Sequence, residues 1–363
     1  MVSSPGKRVA VAMSGGVDSS TAALLLKREG YEPVGFTLKL FDDIESADSD
    51  RACCSVASVD DARRAADKIG IPFYVLNYKD KFEKYVIDHF CESYLRGMTP
   101  NPCAECNRWI KFKFLLDHAA ALDIGLLATG HYVRSEFDAE NKVYRLFRAT
   151  DKKKDQSYFL FMLNQVNLPR LLFPNGAYRK DEIRSIAAGA GLPVADKPES
   201  QDICFAATES YAEVVAKLHP EKIHPGKIVD TEGNVLGKHA GIHRYTVGQR
   251  KGLGISAPHP LYVVTVDAET ATVTVGANED LMSRALLCRD VNFVSGPPPP
   301  EGTDLKAKVR YRTRFAPCRL FRHDDDHWRV EFAEPLRAIT PGQAVVFYCG
   351  GELAGGGTIV KTL

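Results

Sequence analysis

The chain has 363 residues, 45% of them apolar and 26% charged, an ordinary globular composition too long for a single hydrophobic core. Its net charge of +1 excludes a uniformly basic nucleic-acid binder, so any RNA contact has to come from local patches. No apolar run reaches the length of a membrane span, and the opening MVSSPGKRVAVAMSGG lacks a signal peptide's long apolar region, so we expect a cytoplasmic protein with no membrane partner.

The first half alternates strand and helix. RVAVAM (8–13) reads as a buried strand, TAALLLKREG as helix, EPVGFTLKL as strand, and SVASVDDARRAADKIG as an amphipathic helix ended by Gly70. IPFYVLN follows as strand, DKFEKYVIDHFCESYLRG and NRWIKFKFLLDHAAALDIG as helices, and GLLATGHY as a closing strand. This rhythm predicts a parallel sheet with helices on both faces and ligands at the carboxyl ends of its strands.

Between the first strand and the first helix lies Ser14-Gly15-Gly16-Val17-Asp18-Ser19-Ser20. Glycines let the backbone approach a phosphate closely, and serine hydroxyls with helix N-terminal amides supply donors to an anion. Asp18 repels bare phosphate, which points to a Mg²⁺ bridge or to a loop-positioning role. No Gly-Lys-Ser/Thr occurs here, so this is not a Walker loop. The segment resembles the signature of the PP-loop ATP pyrophosphatases, which implies cleavage of ATP between its α and β phosphates and transfer of AMP to a substrate oxygen.

Nine cysteines, an odd number, argue against a disulfide scaffold and leave metal, redox or nucleophilic roles open. Two segments give cysteines unusual neighbours: Thr99-Pro100-Asn101-Pro102-Cys103-Ala104-Glu105-Cys106-Asn107, placed in a loop between two helices, and Glu199-Ser200-Gln201-Asp202-Ile203-Cys204-Phe205. A thiolate is the nucleophile of persulfide chemistry, and exchange between two such cysteines releases sulfur. Cys103, Cys106 and Cys204 also qualify as three ligands of an iron–sulfur cluster, whereas zinc would call for a second CxxC that is absent. Cys53-Cys54 has no comparable frame and reads as structural.

After about residue 205 the texture changes to short strands and Gly/Asp/Asn turns, with a hairpin around Asp267–Thr270 and the stiff spacer SGPPPPEG. LKAKVRYRT, CRLFRH, HWRVEFAE and QAVVFYCGGELAGGGTIV have the spacing of a small barrel. The expected division is a catalytic domain over 1–205, a β-rich central domain over 206–282, and a barrel over 283–363 that meets RNA. From Lys306 to Arg322 there are seven Lys or Arg and no acid. Along one strand, Lys306, Lys308, Arg310, Arg312 and Arg314 would form a ridge suited to a phosphate backbone, or a strand edge protected by charge. RKGLG at 250–254 and Lys152–Lys154 extend the track.

SGGVDSS, NPCAECNRWIKF, LLATGHYVR, KKKDQSYFL, PESQDICF, GIHRYTVGQRKGLGI, VRYR and PGQAVVFY occur in this order. The whole chain thereby resembles the bacterial tRNA-specific 2-thiouridylase family, with an adenine nucleotide alpha hydrolase-like catalytic domain. The resemblance implies that ATP contacts Ala12, Met13, Ser14, Gly15, Gly16, Val17, Asp18, Ser19, Leu38 and Gly130. It makes Cys106 the nucleophile and Cys204 the persulfide carrier, and sets Asn101, Pro102 and Cys103 at the target base. His131, Lys154, Asp155, Gln156, Arg310, Tyr311, Arg312 and Gln343 match tRNA-contacting positions. It further implies Mg²⁺, a tRNA substrate thiolated at wobble uridine 34, and an upstream sulfur-relay donor protein. Some members carry Asp where this chain has Cys103, and a thiol is a poorer acid/base at neutral pH. An ammonia-using PP-loop amidotransferase and an RNA-binding iron–sulfur or zinc protein with a vestigial ATP loop are the alternatives.

Overall fold

A computed structural model describes residues 6–41, 56–198, 203–206 and 210–363. Cys53, Cys54 and residues 199–202 of the second cysteine segment therefore lie outside the described residues. Five parallel strands form the first sheet in the order β3-β2-β1-β4-β7: β1 (Arg8–Ala12), β2 (Glu32–Lys39), β3 (Phe73–Asn77), β4 (Leu126–Thr129) and β7 (Leu171–Leu172). Because strand side chains alternate, Val9 and Val11 face one core with α1 (Val17–Arg28) and α2 (Val56–Ile69). Ala10 faces the opposite core, with Phe36, Leu38, Ile110 and Leu115.

The long helical stretches over 79–95 and 102–121 form as read, each containing a π-helical segment, Glu83–Ile87 and Cys106–Leu115. The loop before the second is shorter than expected. Asn101 is its N-cap, accepting from Ala104 N at 3.2 Å, and Pro102 takes the first helical position, where its missing N–H costs nothing. Cys103 and Cys106 thus ride on the start of a helix.

The second sheet has the order β10-β11-β8-β9: β8 (Gly226–Val229), β9 (Val235–His239), β10 (Tyr262–Asp267) and β11 (Thr272–Gly276). The expected hairpin around Asp267–Thr270 joins β10 to β11. In the third, β12 (Met282–Phe293), β13 (Asp304–Lys308), β14 (Ala316–Arg322), β15 (His327–Arg337), β16 (Ala344–Cys349) and β17 (Glu352–Thr362) run β12-β15-β14-β13-β16-β17. A β12–β17 pairing closes them into a barrel. One feature was not expected: β5 (Val133–Asp138) and β6 (Val143–Arg148), a hairpin that leaves the parallel sheet and joins the barrel's sheet beside β17.

The basic ridge needs correction. β13 stops at Lys308, and a turn follows in which Thr313 N donates to Arg310 O at 3.2 Å. Lys306, Arg312 and Arg314 are exposed, but Lys308 and Arg310 are half-buried and bonded internally. No single row of cations runs from Lys306 to Arg314.

Candidate active site

The phosphate loop sits at the carboxyl end of β1. Ala12 ends the strand, Met13 is buried, and Gly16 caps α1, which begins at Val17. Ser19 and Ser20 turn their hydroxyls back to Gly16 O (3.2 and 3.0 Å), and Ser14 N donates to Ser19 Oγ at 3.1 Å. These bonds fold the loop back onto the start of α1 and leave Ser14 exposed. Gly15 has φ +71°, and a Cβ there would lie 2.0 Å from Ser58 O. At Gly130, past the end of β4, a Cβ would meet Ser19 N at 2.7 Å, so the backbone of 130 closes on the loop. Leu38, on the adjacent β2, is buried.

Asp18 has partners that no local pattern announces. Lys180 Nζ donates to both carboxylate oxygens (2.7 and 2.8 Å), and Tyr132 OH donates to Oδ1 at 2.6 Å. Lys180 opens the helix Lys180–Gly189 and is buried. Asn175, fully buried, donates to Asp18 O (2.9 Å) and Gly130 O (3.1 Å), tying the loop helix to the β4 end. Lys180 and Asn175 were missed in the sequence.

The tRNA positions implied by the resemblance divide between inside and outside. Gln156 Oε1 accepts from Tyr132 N, and Gln156 N donates to Tyr132 O, both at 3.0 Å. Asp155 accepts from Arg148 Nε at 2.7 Å and from Ala149 N and Ser157 N, both at 3.3 Å, so it fixes a turn. His131 Nδ1 is 2.8 Å from Thr129 Oγ1, and burial first, then the Lys111 ammonium, hold its pKa well below the ordinary histidine value. Tyr311 packs its ring 4.6 Å from Phe159. Arg310 and Gln343 bond inward, while Arg312 is exposed and Lys154 half-buried.

Around the cysteines, Asn107 is buried and donates to Phe159 O at 3.1 Å, while Lys111 Nζ donates to Asn107 Oδ1 at 3.0 Å. Cys106 and Cys204 are half-buried and pack on the rim of one core cluster together with Phe159, Phe205 and Tyr311. Cys204 is held there by its neighbour, since the Phe205 ring lies 5.1 Å from Phe90 and 5.9 Å from Phe82. Cys103 is exposed. Among the described residues no three His, Cys, Asp or Glu side chains gather in an arrangement that would hold a metal. Cys103, Cys106 and Cys204 do not come together as cluster ligands in this arrangement.

Among the described residues no helix is long and apolar enough to cross a membrane. A family model described as the tRNA methyl transferase HUP domain matches residues 7–208, and the PRC-barrel domain model of that group matches 212–277. An aminomethyltransferase beta-barrel domain model matches 283–359. The tRNA-specific 2-thiouridylase MnmA of Carboxydothermus hydrogenoformans is 49% identical over 359 residues, covering 98% of each chain. That of Geotalea uraniireducens is 48% identical over 357 residues, covering 97% of this chain and 95% of the relative. Among solved structures, the U34-tRNA thiolase NcsA of Methanococcus maripaludis with its [4Fe-4S] cluster aligns at 19% identity with a TM-score of 0.36, over 61% of this chain and 70% of its own. So remote a likeness transfers no ligand.

Proposed function

The chain belongs to the tRNA-specific 2-thiouridylase family, ATP-using sulfurtransferases that act on tRNA, and from that premise we propose a two-stage reaction on wobble uridine 34. In the first stage the uridine O2 attacks the α phosphate of ATP. An O–P bond forms, the bond to the β phosphate breaks, and pyrophosphate leaves. The phosphate loop from Ala12 to Ser19 receives the nucleotide, with Leu38 and Gly130 flanking it. Mg²⁺ binds through few protein carboxylates, phosphates and water supplying the rest, and Asp18 is the carboxylate of the loop that would meet it, sharing its oxygens with Lys180. Bound there, the ion would neutralise phosphate charge. Lys180 supplies a second positive charge at the same carboxylate.

In the second stage the terminal sulfur of a Cys204 persulfide attacks C2, the C–O bond breaks and AMP leaves. Cys106 thiolate then attacks the Cys204 sulfur, forming a Cys106–Cys204 disulfide and leaving the thiocarbonyl on the base. A dithiol reductant must restore the thiols, and a sulfur-relay protein must recharge Cys204. The base has to leave its stack to reach either stage, and Asn101, Pro102 and Cys103 are the segment proposed to receive it. A tRNA substrate also supports a cytoplasmic location.

The observation that carries this reading is that Cys106 and Cys204 are both half-buried against the same core cluster. Labelled sulfur tests it. Cys204→Ser should take up none, whereas Cys106→Ser should load Cys204 and turn over poorly. Label on Cys106 and never on Cys204 would reverse the roles.

A further inference from the structure

All three domains meet at residues 97–101, immediately before the helix that carries Cys103 and Cys106. From the barrel, Thr99 N donates to Pro341 O at 2.8 Å, and Gln343 Nε2 donates to Thr99 O and Pro100 O, both at 3.0 Å. From the central domain, Thr246 Oγ1 accepts from Thr99 Oγ1 at 3.5 Å. Arg310 ties the other two together: its Nη2 donates to Val247 O and Ala338 O, both at 3.0 Å, and to Thr340 Oγ1.

The approach is close at each junction. A Cβ on Gly342 would stand 2.9 Å from Met98 Cβ and from Thr99 N and O, and one on Gly97 would stand 2.7 Å from Val266 O. Between central domain and barrel, a Cβ on Gly248 would stand 2.9 Å from Ala338 Cβ. At each junction a glycine thus brings its backbone against the neighbouring domain.

We propose that Gln343 is a positioning residue: its paired bonds to Thr99 and Pro100 fix the Asn101–Cys106 segment in the frame of the barrel, with Arg310 locking that frame to the central domain. An amide NH₂ has two hydrogens, and successive carbonyls take both. The consequence for the proposed reaction, on which the catalytic half of the test rests, is that tRNA seated on the barrel and the Cys106 helix share one reference frame. Misplacement by about 1 Å costs rate on the order of 100-fold without a change in ground-state affinity.

The test is Gln343→Ala in the full chain, with Gln343→Asn as the conservative variant that keeps both donors one methylene short. For Gln343→Ala we expect kcat for thiolation at saturating tRNA to fall at least about tenfold, with KM for ATP within about twofold. Gln343→Asn should recover part of kcat. Amide hydrogen exchange of residues 99–106, measured without ATP or tRNA, should speed up about tenfold in Gln343→Ala. That readout needs no chemistry, so it stands even if the labelled-sulfur experiment overturns the persulfide reading. Weakened tRNA binding with kcat intact at saturating tRNA would overturn the proposal, as would unchanged exchange over 99–106.

Discussion

Asp18→Asn and Lys180→Met break one ion pair from opposite ends, and the structure makes the two costs unequal. The Lys180 side chain is 11% exposed and that of Asp18 32%. Removing the carboxylate takes away the ion-pair partner of an ammonium in a site largely closed to water, and losing one partner of a buried pair costs about 3–5 kcal/mol. The asparagine oxygen still accepts one bond, which brings Asp18→Asn to about 2–3 kcal/mol. In Lys180→Met the carboxylate keeps Tyr132 OH and reaches water, so the loss is about 1 kcal/mol. At about 2–4 °C per kcal/mol for a domain of this size, melting should fall by roughly 4–12 °C in the first variant and about 2–4 °C in the second. Wild-type protein at ATP a hundredfold above Kd gains about 2.7 kcal/mol, a shift both variants should largely lose. Thermal melts with and without ATP·Mg²⁺, paired with tRNA-dependent pyrophosphate release, read all of this. Equal melting losses, or wild-type pyrophosphate release in either variant, would refute the reasoning.

Other outcomes follow from the same side chains. Cys106→Ser and Cys204→Ser should both still adenylate tRNA, since neither thiol attacks the α phosphate; pyrophosphate burst measurements check this. Arg312→Glu with Arg314→Glu should flatten the salt dependence of tRNA binding by about one logarithmic slope unit for each phosphate no longer neutralised, with ATP affinity unchanged. His131, His239 and His243 all have their pKa pushed below the ordinary value, chiefly by burial. Their folded-state pKa lies under the unfolded one, so the unfolded chain binds more protons below about pH 6.5 and stability is lost as pH falls through that range. Denaturation midpoints from pH 8 to pH 5.5 should decline, and His243→Leu should make the decline shallower.

The phosphate loop was legible because its chemistry sits in consecutive residues, where glycine, serine and a following helix leave few readings. Its supports were not. Lys180 lies 162 positions from Asp18 and looks, in RKDEIRS, like the ordinary start of an amphipathic helix. The ridge failed for a related reason: alternation predicts a face only while the strand lasts, and the turn Arg310–Thr313 ends it. Arg310 then satisfies carbonyls of two domains, a use that composition cannot separate from phosphate binding. The hairpin β5–β6 carries no clean alternation in VRSEFD or VYRLFR, and only the polar turn DAENK between them announces it. Its destination was not legible, because the partner strand lies near the end of the chain.

That hairpin has a consequence for how the enzyme comes into being. β6 meets β17 at Phe147–Glu352, Arg148 N donates to Gly351 O at 2.9 Å, and Arg145 Nη1 donates to both Glu352 oxygens at 3.0 Å. Tyr158 OH likewise donates to Ala344 O at 2.9 Å. A ribosome delivers Glu352 roughly ten to forty seconds after Phe147, at about 5–20 residues per second. Until then the edge of β6 has no strand beside it, and the Thr99–Pro100 carbonyls lack Gln343. The edge of β6 and the Thr99–Pro100 carbonyls are therefore completed only once residues 343–352 have been made.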